Sequence, residues 1–200
     1  GLKIWALAGN RFDSETTRRV LATPEHRAAL VRQLTGFVRS YKLDGLNLDF
    51  ENMRPDDRDS FTQFVKELSE SLAGAAVLSV DVPPDSGTDW SEPFDYAELS
   101  EYADYLVMMG YDEHWGGGPA MGSVSSLPWL DRSIKKLREQ VPARKLIIGL
   151  PLYTREWYYS SGGKLLSRDL TLEEQTALLK ERKPNVRWDP QSGQYKASYT

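Results

Sequence analysis

The stretch DGLNLDFEN, residues 44–52, decides the fold. Leu46, Leu48 and Phe50 alternate with Asn47, Asp49 and Glu51. Side chains alternate along a β-strand, so the apolar set takes one face and the polar set the other. At about 3.3 Å per residue the three polar groups form a line with steps of ~6.6 Å. Burying carboxylates costs several kcal/mol unless they are paired, hydrogen-bonded or protonated. Two acids at adjacent positions on one face also repel, so one is expected to hold a proton. Glu51, at the C-terminal end, is the candidate general acid, with Asp49 as its charged neighbour.

Outward from this segment, strand-like runs cover residues 2–8, 45–50, 77–82, 105–111 and 146–150. Helical patterns separate them. Thr23-Pro24 is a helix start, and Leu30, Leu34, Phe37, Val38 and Tyr41 then keep the 3.6-residue period. Phe61, Phe64, Val65, Leu68 and Leu72 do the same after the second strand. Asp95 and Glu98 have capping-box spacing, and Leu130, Ile134, Leu137 and Val141 mark a fourth helix. Alternating strands and helices predict an α/β fold with a parallel sheet. A doubly wound sheet packs helices on both faces and wants both apolar. A (β/α)8 TIM barrel tolerates polar inward groups at its C-terminal mouth, so the barrel is favoured.

Five barrel strands are legible, so the reading is a partial barrel over residues 1–157. The remainder, 158–200, reads as an α+β insertion: YYSSGGKLLSRD as a hairpin or loop, a helix capped by Thr171 and Glu174, and VRWDPQSGQYKASYT as a second hairpin. The chain starts in strand-like sequence, which suggests a piece of a longer protein. A barrel with strands missing exposes sheet edges, so self-association is expected.

Composition excludes several classes. Net charge is −4, with no basic face for nucleic acid. There is no cysteine and only two histidines, His26 and His114, which disfavours thiolate or histidine metal sites and Ser-His-Asp chemistry. No apolar run approaches the ~20 residues of a membrane span.

Three segments together resemble family 18 glycoside hydrolases, the chitinase-like enzymes. DGLNLDFE is similar to the signature D-G-x-D-x-D-x-E, with Asn47 where most chitinases carry Asp. VMMGYDEHW (107–115) and KLIIGLPLYTREW (145–157) resemble further family segments in the right order. NLDFENM resembles the branch of spore-cortex-lytic and spore-germination glucosaminidases. The resemblance implies a substrate-assisted retaining mechanism on polymers containing β-linked N-acetylglucosamine, with no metal or cofactor. It implies Glu51 as proton donor, Asp49 orienting the 2-acetamido group, Tyr111 hydrogen-bonding the acetamide oxygen, and Asn47 supporting Asp49. It also implies a polysaccharide partner and an extracellular, cell-wall or spore-associated setting.

Asp81 shares inward parity with Ser79, and Met109 and Asp112 flank the end of the fourth strand; all three are candidate substrate contacts. Trp115, Tyr153 and Trp157 follow barrel strands and suit stacking on sugar rings, with ordinary loop packing as the bland alternative. His114 reads as a scaffold histidine. The Gly-rich run 116–123 lacks nucleotide-loop spacing and reads as a mobile loop. The competing class is a non-catalytic saccharide-binding module on a degenerate barrel, against which Glu51 counts.

Overall fold

The computed structural model describes residues 1–199. In chain order the elements are β1 (Trp5–Gly9), α1 (Ser14–Leu21), α2 (Pro24–Tyr41), β2 (Gly45–Asp49), α3 (Arg58–Leu72), β3 (Val77–Val82), α4 (Tyr96–Tyr102), β4 (Tyr105–Met109), α5 (Leu127–Arg138), β5 (Leu146–Gly149), β6 (Tyr153–Tyr159), β7 (Leu165–Thr171), α6 (Leu172–Arg182), β8 (Asn185–Asp189) and β9 (Gln194–Ser198). Strands β1 to β5 make one sheet in sequence order, parallel with helical crossovers, as in an arc of a (β/α)8 barrel. Strands β6–β7 and β8–β9 are antiparallel hairpins. The chain divides into two compact units: residues 1–109 with 135–148, and 110–134 with 149 onward. The first hairpin begins at Tyr153, ahead of the expected boundary at residue 158.

Helix starts follow their capping residues. Thr23 accepts from the His26 N–H with Pro24 opening α2. Asp95 accepts from the Glu98 N–H, and Thr171 and Glu174 cap each other reciprocally. Helix α1 was not anticipated. It is eight residues of SETTRRVL, of which Thr17 and Leu21 are buried, so it shows no apolar stripe. The Asp13 carboxylate accepting from Thr16 N–H is its start signal.

Sidedness of β2 is set by packing. Leu46, Leu48 and Phe50 are 3%, 0% and 7% exposed, whereas Asn47, Asp49 and Glu51 are half-buried. The Phe50 ring lies 5.7 Å from both Phe61 and Phe64 of α3, and Phe61 meets Phe94 edge-on. Burying the three apolar side chains stabilises this arrangement by about 1.5–3 kcal/mol each. A one-residue slip would expose them and bury the acids, so the register is strongly specified.

At the N-terminal end, Asp44 accepts from the Ile4 N–H (2.9 Å) and pairs with Lys3 (2.8 Å), tying the approach to β1 against the start of β2. The adjoining Gly45 pairs with Trp5, and a Cβ there would lie 2.6 Å from the indole Cδ1. The indole passes over Gly45 and stacks on Tyr105 of β4, with centroids 5.8 Å apart. Gly45→Ala is therefore expected to lower stability by about 1–3 kcal/mol through overpacking. In a Trp5→Leu background the same substitution should cost much less. Urea denaturation of the four proteins measures the coupling; equal costs in both backgrounds would contradict the steric account.

Candidate active site

The first unit carries the carboxylates. Register places Asn47 beside Ser79, and Leu48 beside Val80. Continuing this register by one residue brings Asp49 level with Asp81, and the charge of Asp49 acts on the Asp81 carboxyl. Ser79 is fully buried, and its hydroxyl donates to Asn47 Oδ1 (2.6 Å). Asn47 Nδ2 in turn donates to Asp81 Oδ2 (2.7 Å). Asn47 was expected to support Asp49 by hydrogen bonding. Its partners instead lie across the sheet on β3, because an amide at this register faces Ser79 and Asp81 rather than its own strand.

Electrostatics follow from this geometry. Burial pushes the Asp81 carboxyl up to about 6; the Asn47 hydrogen bond pulls it down, and the charge on Asp49 adds to the rise. Burial also raises the Asp49 carboxyl. Alternation along β2 predicts a proton held by the Asp49–Glu51 pair; the charge of Asp49 acting on Asp81 brings a third carboxyl into the same electrostatic group. Gly9 pairs with Asp49, and a Cβ there would meet the Asp49 carbonyl oxygen at 3.2 Å, so glycine allows the two main chains to approach closely at the end of the ladder. Met109 ends β4, half-buried on the same sheet face.

Two aromatic residues that the sequence reading passed over stand at the same end of the strands. Phe12, after β1, stacks on Trp90, after β3, with centroids 6.3 Å apart, and both are exposed. Two surface concavities of about 350 and 280 Å³ lie elsewhere. One is lined by Asp59, Lys66, Glu98 and Tyr102 among others, the other by Leu72, Leu78 and Lys145 among others, and the carboxylate row borders neither.

The second unit carries the aromatic candidates, organised by a residue the sequence reading missed. The Arg155 side chain is 4% exposed. Its guanidinium donates to Asp169 (2.7 Å), Asp112 (3.1 Å) and the His114 carbonyl (2.6 Å), and lies against the rings of Tyr153 and Trp157. Tyr153 donates its hydroxyl to Asp112 Oδ1 (2.6 Å); burial, together with this bond, pushes the pKa of the phenol upward. Tyr111 packs edge-on against Tyr153 at 6.4 Å. Asp112 has φ 60° and follows Tyr111, so the arginine and tyrosine hold a left-handed turn beside it. The signal for Arg155 was present: a lone cation two residues from an aromatic on either side, Tyr153 and Trp157, in a strand rich in aromatics.

Residues 122–126, partly expected as a mobile loop, are pinned. His114 bonds to the Ser123 carbonyl, and the Trp157 indole N–H donates to the Gly122 carbonyl (2.9 Å). Glu113 accepts from the Ser126 N–H and hydroxyl. Trp157 thus packs the loop and Arg155, whereas Trp115 is 52% exposed.

A parallel βα sheet whose inward face bears a carboxylate row at the strand C-termini defines the class of β/α-barrel proteins. Comparison with known proteins narrows the class. The chain belongs to the glycosyl hydrolases family 18, which matches residues 1–199. It is 31% identical over 211 residues to the uncharacterized glycosylase YvbX of Bacillus subtilis, covering 99% of this chain and 60% of that protein. It is 29% identical to the cortical fragment-lytic enzyme of the same organism, over 78% of this chain and 38% of that enzyme. The chain thus spans three fifths or less of these relatives. The fold matches a chitinase from Chromobacterium violaceum with TM-score 0.88 at 24% identity, over 98% of this chain and 63% of that one. It also matches the spore cortex-lytic enzyme SleL of Bacillus megaterium with TM-score 0.85 at 22% identity, over 97% and 46%.

The raised Asp81 carboxyl has a consequence for stability. A carboxyl whose pKa is higher in the folded than in the unfolded chain binds its proton preferentially when folded. Its contribution is therefore greatest at low pH and is lost as pH rises from about 4 through about 6. Asp81→Asn should raise stability at pH 7 by on the order of 1–2 kcal/mol, after discounting for partial solvent access. It should also flatten the stability profile between those pH values. Melting temperature against pH checks this; superimposable profiles would contradict it.

Proposed function

We propose that this chain carries the acid-bearing part of a retaining glycoside hydrolase acting on polymers of β-linked N-acetylglucosamine. Glu51 gives its proton to the glycosidic oxygen as the bond from that oxygen to the anomeric carbon breaks. The substrate's own 2-acetamido carbonyl oxygen bonds to the anomeric carbon, giving an oxazolinium ion. Asp49 orients the acetamide N–H and stabilises the positive charge. Water then opens the ring from the same side as the departed group, returning a proton to Glu51 with net retention. Tyr111 hydrogen-bonds the acetamide oxygen, and Asn47 with Asp81 holds the field around Asp49.

The observation that carries this reading is the alternation on β2, with a fully packed apolar face opposite Asn47, Asp49 and Glu51. The raised Asp49 and Asp81 carboxyls support it, since perturbed ionisation marks functional clusters. Phe12 and Trp90 add exposed aromatic faces of the kind that pack on pyranose rings. Peptidoglycan, with spore cortex foremost, is the proposed substrate, and chitin the second. A relative that lyses cortical fragments supports this choice and a place at the cell wall or spore.

Glu51→Gln keeps the shape of the side chain and removes the transferable proton. In the full-length chain it should lower kcat on cortex fragments or N-acetylglucosamine oligosaccharides by about 10²–10⁴-fold. Its circular dichroism should match the parent. Undiminished release of reducing ends would remove Glu51 from the acid role.

A further inference from the structure

We propose that Asn10 is a positioning residue for Glu51, gripping the main chain of the acid through its side-chain amide. The inference rests on the reading of Glu51 as proton donor. The β1–β2 ladder closes at Gly9 and Asp49, with the Asn10 N–H reaching the Asp49 carbonyl at 3.4 Å. Beyond it the first strand turns away, with Arg11 and Phe12 both in left-handed backbone, φ 55° and 60°. Glu51 therefore lies two residues past Asp49, the last residue that pairs with β1.

The Asn10 side chain takes the place of that neighbour. Its Oδ1 accepts from the Glu51 N–H (3.0 Å), and its Nδ2 donates to the Glu51 carbonyl (2.7 Å). A single side chain thus satisfies both main-chain groups of Glu51. The remaining hydrogen-bonding directions of the amide are filled as well. Nδ2 also donates to Thr17 Oγ1 (2.8 Å), and Oδ1 also accepts from the Phe12 N–H (3.2 Å). Thr17 is 4% exposed and donates in turn to the Asp13 carbonyl, which anchors the clamp in α1. From the other loop, Asn52, itself at φ 54°, donates to the Phe12 carbonyl (2.9 Å). Two asparagine amides therefore stitch the segments after β1 and β2 in both directions.

Only a short amide fits. Aspartate has the length and the acceptors but no donor for the Glu51 carbonyl, serine has a single polar atom, and glutamine is one carbon too long. The effect on chemistry follows from geometry. A general acid works within hydrogen-bond reach of the leaving oxygen, and a misplacement of about 1 Å can cost 10²-fold.

The test compares two substrates in the full-length chain. One is an N-acetylglucosamine oligosaccharide, whose sugar leaving group needs a proton. The other is an aryl glycoside of an acidic phenol, which departs without one. Asn10→Ala should lower kcat and kcat/KM on the oligosaccharide about 10²-fold, and kcat/KM on the aryl glycoside, which reads the bond-breaking step alone, less than about 5-fold. Asn10→Asp, which keeps the acceptor to the Glu51 and Phe12 N–H groups and so protects folding, should show the same selective loss. Equal losses on both substrates, a change confined to KM, or no change in either variant would overturn the clamp. Glu51→Gln run alongside separates the two levels. If it loses the oligosaccharide selectively and the Asn10 variants do not, the clamp alone is wrong. If Glu51→Gln turns over the oligosaccharide normally, the acid assignment falls and takes the clamp with it.

Discussion

Packing of the Phe50 ring against Phe61 and Phe64 is the contact on which the site depends. Phe50 sits between Asp49 and Glu51, so locking its ring among the helices sends both acids to the opposite face. The competition is not close. Several apolar side chains, at about 1.5–3 kcal/mol each, hold one register, and burying carboxylates would cost several kcal/mol each in the alternative. The outer face of the strand thereby chooses the chemistry of the inner one. Asp44 and Gly45 fix where the strand begins, the first through Ile4 and the second by admitting the Trp5 indole.

Placed on the inner face, the acids have to be tolerated there. Ser79 and Asn47 form a hydrogen-bond chain that ends on Asp81, so a carboxylate sits on β3 next to the position where the family signature has one on β2. The amide donor at Asn47 lowers the cost of charge on Asp81, but burial and the neighbouring Asp49 outweigh it. The result is a carboxyl that changes charge near neutral pH within the same row as the proposed acid. Asn10 completes the arrangement from β1, holding the main chain of Glu51 where the sheet no longer does.

Much of this was legible in the amino-acid order. The apolar alternation of 46–50 fixed the faces of β2, and the stretch 77–82 matched β3 at both ends. Thr23, Asp95 and Thr171 announced their helices because a capping side chain is a local signal. Helix α1 escaped because its short polar sequence has no stripe to read. Partners across strands were harder. That Asn47 meets Asp81 depends on the offset between β2 and β3, which no single strand encodes. Asn10 and Arg155 act on groups about forty residues away in sequence, and only the folded chain brings those groups together. The glycine-rich run looked mobile by composition, but His114 and Trp157 bind its carbonyls from outside the run.

Direct titration of the inward carboxyls tests the central claim, that packing of one strand face forces a coupled acid group onto the other. Carbon-13 NMR of the side-chain carboxyls of selectively labelled aspartates, followed across pH, reads each group in place. The account predicts an Asp81 resonance that moves near pH 6 and an Asp49 resonance above the ordinary carboxylate range. Both resonances titrating near pH 4, as free side chains do, would contradict it.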